Sequence, residues 1–408
     1  MRDLKNVRTA IALSAILFIA GVVQGETPSS KPPHVVIKFS GPMQVVFNHD
    51  KDGCENWDIP DAGARAFRDA DGKVHLIDSG TENFAMVGDS LNTVKRVCKG
   101  TYKNGGSADP STFNDLGWLE SFYTLDGKTI HALVSHDYHP DRHRIRCGAS
   151  LNENGAGSVD QCWWSTITQA TSTDGGKSFT SPPPGVSRWV AGAPYKFDSD
   201  HTGPVGAFVV SNIVPFQGQY YVFVSVGGTH EQQRGVCIMR TATLGVPDSW
   251  RAWDGKDFTV QFADPYTTPN LKPKEHVCEP VAPHALKGPV RSLLALENGE
   301  GFVATMEGSL TLPDGKRVPT IEMTSSADLI HWAAPKVLLE IPYIGEPDCK
   351  NNPTAYRYVY PAMLDANSKS INFDTVGDSA YIYLTQFHGC HTFHRDLVRL
   401  PVTVQVVK

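Results

Sequence analysis

The stretch Arg65-Ala66-Phe67-Arg68-Asp69-Ala70-Asp71-Gly72-Lys73-Val74-His75-Leu76-Ile77 reads as a strand, a tight turn and a second strand. Asp-Gly supplies a turn-forming carboxylate and a residue free to take positive φ, and short β-prone runs lie on both sides. The same figure recurs down the chain. Asp126-Gly127-Lys128 precedes Ile130 to Val134, and Phe216-Gln217-Gly218 precedes Tyr220 to Val226. Asn298-Gly299-Glu300 precedes Phe302 to Met306, and Val376-Gly377-Asp378 precedes Tyr381 to Phe387. Five hairpins spaced by roughly 50 to 90 residues predict four-stranded units repeated around one axis. The expected fold is all-β, a five-bladed β-propeller. Val35 to Phe47 would close the ring by adding to the last blade.

Composition agrees with a turn-rich chain. It has 36 Gly, 28 Pro and 10% aromatic residues, and no segment sustains a helical apolar period. The N-terminus carries Arg2, Lys5 and Arg8, then an apolar run from Thr9 to Val23, then Val23-Gln24-Gly25. This pattern predicts a signal peptide over 1–25, since the run is shorter than the roughly 20 residues of a spanning helix. Residues 26–408 are then expected to form a single propeller domain, secreted or periplasmic and monomeric, with no membrane attachment after cleavage.

Eight cysteines with no CxxC pair suit disulfides in an oxidising compartment rather than a zinc ribbon. Cys147 with Cys162 is the expected local pair. Formal net charge is −6, and removing the leader's net +2 leaves about −8. No basic tract is present to neutralise phosphates, which argues against nucleic acid as a partner. The cluster from His139 to Arg146 reads as a solvated loop. There is no P-loop, GxSxG or HExxH motif, so phosphoryl transfer, the serine-hydrolase elbow and zincin chemistry lack support.

Two turns bear on the fold family. Ser172-Thr173-Asp174-Gly175-Gly176-Lys177-Ser178-Phe179 resembles the Asp box of sialidases and other propellers. Ser325-Ser326-Ala327-Asp328-Leu329-Ile330-His331-Trp332 is similar to a turn of the five-bladed glycoside hydrolases of families 43 and 32. Such turns brace blades and carry no catalytic role.

Family 43 places an Asp base at the start of its first blade, a second Asp at the third and a Glu acid at the fourth. By that resemblance Asp61, Asp200 and Glu279 are the expected base, modulator and general acid, although the family's Asp-Pro dipeptide is absent after Asp61. Glycoside cleavage needs one protonated and one ionised carboxyl, which such a set can provide. Arg65, Glu120, His136, Tyr138, His201, Arg357 and Tyr358 are the expected substrate-binding residues. The partner is a plant, algal or microbial carbohydrate. No cofactor is expected, although Ca2+ near His201 would suit hard oxygen ligands at an axis.

Three rival readings stay open. His136 and Tyr138 in Ser135-His136-Asp137-Tyr138-His139, with an Arg, resemble the base and acid of polysaccharide lyases acting on uronates. Arg65 with Tyr358 or Tyr360 resembles a sialidase, although those enzymes have six blades. A sugar-binding propeller without catalysis would use Trp57, Trp118, Tyr356 and Tyr358 as stacking surfaces.

Overall fold

A computed structural model describes residues 31–407 apart from 79, 146, 148–161, 184, 202, 342–355 and 390–392. The chain begins with β1 (His34–Phe39), β2 (Gln44–Phe47) and a single helical turn, α1 (His49–Asp52). Unit one comprises β3 (Arg65–Arg68), β4 (Val74–Ile77), β5 (Phe84–Gly88) and β6 (Lys95–Gly100). Unit two has β7 (Leu116–Thr124), β8 (Ile130–Tyr138), β9 (Trp164–Ser172) and β10 (Trp189–Gly192). Unit three has β11 (Val205–Val210), β12 (Val214–Phe216), β13 (Gln219–Val226), β14 (Gly235–Thr241), β15 (Arg251–Trp253) and β16 (Phe258–Val260). Unit four has β17 (Val290–Leu296), β18 (Phe302–Thr311), β19 (Arg317–Ser326) and β20 (Lys336–Glu340). Unit five has β21 (Tyr356–Leu364), β22 (Thr375–Val376), β23 (Ser379–His388) and β24 (Arg395–Val407).

Within each unit the strands run as an antiparallel meander. The first strands β3, β7, β11, β17 and β21 neighbour one another in that order, and β21 returns to β3. That closed ring is the propeller arrangement. A short parallel contact, Val205 with Trp164 and Gly206 with Ser165, fuses units two and three into one ten-stranded sheet.

The strands alternate between two buried faces, which explains why they read as continuous apolar runs. In β8, Ile130, Ala132 and Val134 pack with Phe67 and Ile77 of unit one, whereas Leu133 packs with unit three. In β13, Tyr221 and Phe223 face unit four while Val222 and Val224 face unit two. Two further clusters join unit four to five and unit five to one, so the core is a ring of interfaces. Polar clasps pin neighbouring units together. Asn83 receives the Leu119 amide at 2.9 Å and donates to the Gly117 carbonyl at 2.8 Å. Asn372 does the same at both backbone groups of Thr124.

β1 and β2 both pair antiparallel with β24, so the first described strands complete the last unit as expected. One hairpin differs from expectation. The residues before Gly377 form β22, which pairs in parallel with β17, and the antiparallel partner of β23 is β21.

The turn at Asp174 is built on its own side chain, which accepts from the Ser178 amide at 3.0 Å and the Ser178 hydroxyl at 2.6 Å. Gly176 sits at φ +88°, and a Cβ there would lie 2.4 Å from the Phe67 ring. Phe179 is thereby seated against Phe122 between units one and two. The Asp328 turn repeats the design, accepting the Ile330 and His331 amides and seating Trp332 against Phe223.

Cys147–Cys162 is bonded as expected, and Cys54–Cys98 and Cys237–Cys278 are also disulfides. Cys349 and Cys390 lie outside the described residues. No described helix is long and apolar enough to cross a membrane.

Candidate active site

The axial residues are selected by a repeated irregularity. Four of the five first strands carry a bulge against their second strand. Register skips Glu120 in β7, Val209 in β11, Arg291 in β17, and Tyr360 with Pro361 in β21. A bulged residue escapes the pleat's alternation and can be re-aimed. Val209 and Tyr360 adopt φ of +57° and +58°, a region costly for non-glycine residues.

Buried Arg65 of β3 bridges the ring. It donates to the Val210 carbonyl at 3.0 Å and also to the Arg291 carbonyl, tying unit one to units three and four. Burial pulls its pKa down to about 10, opposed by the nearby Glu120 carboxylate. Glu120 accepts the Val210 amide at 2.8 Å. Burial pushes the Glu120 pKa up, against the pull of Arg291, that amide and Arg65. Arg291 binds Glu307 Oε2 at 3.1 Å and lies over the Tyr360 ring, 4.6 Å from its centroid. The other oxygen of Glu307 accepts the Tyr360 amide at 2.9 Å.

Asp61 stands at the mouth of this ring, with its side chain 21% exposed. It accepts from Trp118 Nε1 at 3.3 Å, from the Tyr360 hydroxyl at 3.1 Å and from Arg395 of β24. Burial and the Asp61 charge push the Tyr360 phenol well above its usual range, so it remains a donor. Three donors, one of them a guanidinium, therefore converge on the two oxygens of Asp61.

Asp137, at the end of β8, has the opposite environment. It is 8% exposed and receives the Ser165 hydroxyl. Burial pushes its pKa up to about 7, the hydroxyl bond opposes this, and the charges of Glu120 and Asp61 reinforce it. It lines a small cavity with Phe113, Asp115, Tyr138 and Trp164. The arginines are already matched: Arg65 lies beside Glu120, Arg291 binds Glu307, and Arg395 binds Asp61.

Of the expected residues, Asp61, Arg65 and Glu120 lie at the ring. Arg65 and Glu120 are buried members of its scaffold, bonded to backbone groups of neighbouring strands. Among the described contacts, none joins Asp200 or Glu279 to Asp61. Asp200 is exposed in the loop before β11, where its amide bonds Asp198. Glu279 is exposed beside β15, an outer strand of unit three, with its amide on the Trp253 carbonyl. The bulge residues of units three and four are Val209 and Arg291.

His136 is locked between the Leu116 carbonyl and the Tyr102 hydroxyl, and burial pulls its pKa down to about 3. The Tyr138 hydroxyl donates to the Ala108 carbonyl and the ring stacks on His143. His201 lies 3.3 Å from the Thr229 hydroxyl, among the rings of Trp164 and His230, which is poor company for Ca2+. Arg357 is exposed over Phe387, and the Tyr358 hydroxyl accepts from Gln386 at 2.8 Å.

Arg291, Glu307 and Arg395 escape the sequence reading. A signal existed at Arg291: a lone charge inside the apolar run Val290-Arg291-Ser292-Leu293-Leu294, matching Glu120 in Leu119-Glu120-Ser121-Phe122. Charged residues inside buried strands are rare unless paired.

No known family's sequence pattern matches the chain, and no characterised protein matches it by sequence. Similar backbones occur among solved structures at low identity. A glycosyl hydrolase from Bacteroides ovatus matches at TM-score 0.45 and 9% identity, covering 92% of this chain and 96% of that one. The α-L-arabinanase of Cellvibrio cellulosa, complexed with arabinohexaose, matches at TM-score 0.39 and 10% identity, covering 87% and 91%. The catalytic domain of a Coprinopsis cinerea α-L-arabinofuranosidase matches at TM-score 0.45 and 9% identity, covering 90% and 96%.

Proposed function

We propose that the protein is a secreted glycoside hydrolase that works at the mouth of the ring, with Asp137 as general acid and Asp61 as the ionised partner. The observation that carries this reading is the contrast between two carboxyls in one axial region. Asp61 is held by a guanidinium, a phenol and an indole, whereas Asp137 is shielded from water and pairs with no cation among the described residues. Environments that separate two carboxyls in this way divide the acid and base roles. Asp137 donates its proton to the glycosidic oxygen as the C–O bond breaks. Asp61 either takes a proton from the attacking water or bonds to the anomeric carbon itself.

The matched arginines favour an uncharged sugar over a uronate or sialic acid. The lyase reading loses support because His136 and Tyr138 are committed to Tyr102 and Ala108. Three disulfides support folding in an oxidising compartment. Neutral plant, algal and microbial polysaccharides incubated with purified protein should release reducing ends without unsaturated uronates. Reducing-end release that persists undiminished in Asp137→Asn would refute the assignment.

A further inference from the structure

A cluster of three histidines and two aspartates lies where α1 meets the ends of β23 and β24. His49, Asp50 and His394 form one group whose ligand atoms all fall within 4.8 Å of one another, and His388, His394 and Asp396 form a second. We propose that this cluster binds one first-row divalent transition-metal ion, with His394 the ligand common to both groups.

Within each group the separations suit a bound ion. His388 Nε2 lies 3.0 Å from Asp396 Oδ2, His394 Nε2 lies 3.3 Å from Asp50 Oδ2, and His49 Nδ1 lies 3.5 Å from Asp50 Oδ1. Neighbouring ligands on a tetrahedral ion with bonds near 2.0 to 2.1 Å stand about 3.3 Å apart. His49 Nδ1 and His388 Nε2 are both buried and each faces a carboxylate oxygen of the cluster.

Supporting bonds already orient the ligands. The other nitrogen of His49, Nε2, lies 3.4 Å from the Asn56 carbonyl. Asp396 accepts the His49 amide at 2.8 Å and Asn48 Nδ2 at 3.0 Å. His388 and His394 stack nearly parallel at 4.2 Å, so one ring turns from this stack for both to reach one ion. Imidazole-rich sets suit zinc, copper, nickel or iron rather than the hard, oxygen-seeking Ca2+. Arg395 lies between the ligands His394 and Asp396 in sequence and reaches Asp61, so an ion here would brace that arginine.

The test uses the full mature chain, stripped with EDTA and titrated with ZnCl2 by calorimetry, with Tm followed in parallel. One saturable site per chain and a rise in Tm are expected, while CaCl2 produces neither. His394→Gln and, separately, His388→Gln should abolish the site while far-UV circular dichroism stays that of the parent. Asp61→Asn should bind zinc as the parent does. Absence of saturable zinc binding, retention of it in His394→Gln, equal binding of Ca2+, or its loss in Asp61→Asn would each overturn the proposal.

Discussion

Arg395 donates to Oδ1 of Asp61, so the last strand of the chain holds a carboxylate supplied by the loop ahead of the first unit. The same guanidinium reaches the Pro60 carbonyl at 3.3 Å and lies over Phe387, 4.2 Å from its centroid. Charge and position of Asp61 are therefore set together. Arg395→Met should lower kcat about 100-fold, the scale of a small misplacement of a reacting group, with KM little changed. Steady-state kinetics beside a thermal melt separates this from unfolding.

Asp137 should govern the alkaline side of activity. With a pKa of about 7 it loses its proton as pH rises through neutrality, and kcat/KM should fall with it. Asp137→Asn should lose about 10² to 10⁴-fold on unactivated glycosides, less on substrates with good leaving groups, and show no limb near pH 7. Stability follows the same sign. A carboxyl whose folded pKa is raised keeps a proton that the unfolded chain gives up, so the parent should lose stability as pH rises from 3.8 to about 7 and level off above that. The Asn variant should lack this decline, which denaturant titrations spanning that window would show.

His136 makes an acid-side prediction. Its pKa falls from 6.5 to about 3, chiefly by burial, so the unfolded chain binds a proton there that the folded chain refuses. Stability contributed above pH 6.5 should drain away as pH falls towards 3. His136→Gln should start less stable, having lost a buried bond to Tyr102, yet decline less steeply over that window. A parallel decline in parent and variant would contradict the placement.

Glu279→Gln and Asp200→Asn should leave kcat/KM within about 2-fold of the parent, because exposed side chains away from the reacting groups contribute little. A loss of 10²-fold in either would require a loop movement that carries it to Asp61.

Arg291→Met tests the ring itself. It strands Glu307 and removes a cation that Glu120 needs, and breaking such a pair typically costs about 3 to 5 kcal/mol. A loss of unfolding free energy of that size, read from urea unfolding curves, is expected.

The fold was legible because it depends on local signals. Gly72, Gly127, Gly218 and Gly299 all take positive φ in turns, and each is followed by a strand. The Gly377 turn misled because β22 is a two-residue strand that pairs elsewhere. The site was only half legible. Asp61, Arg65 and Glu120 lie near the starts of short, recognisable strands, whereas Asp200 and Glu279 sit in loops whose paths depend on tertiary contacts. Bulges at Arg291 and Tyr360 depend on pairing with distant strands, and nothing in a local window marks the skipped residue. Arg395 reaches Asp61 only when the ends of the chain meet.

That meeting imposes an order on biogenesis. β1 and β2 find their partner in the thirteen residues of β24, at the opposite end of the chain. A nascent chain can assemble the units in between as they emerge, but it must hold β1 and β2 unsatisfied until β24 has been made. Those strands are the exposed, aggregation-prone edge of every incomplete chain, and a product truncated before β24 would keep that edge for good.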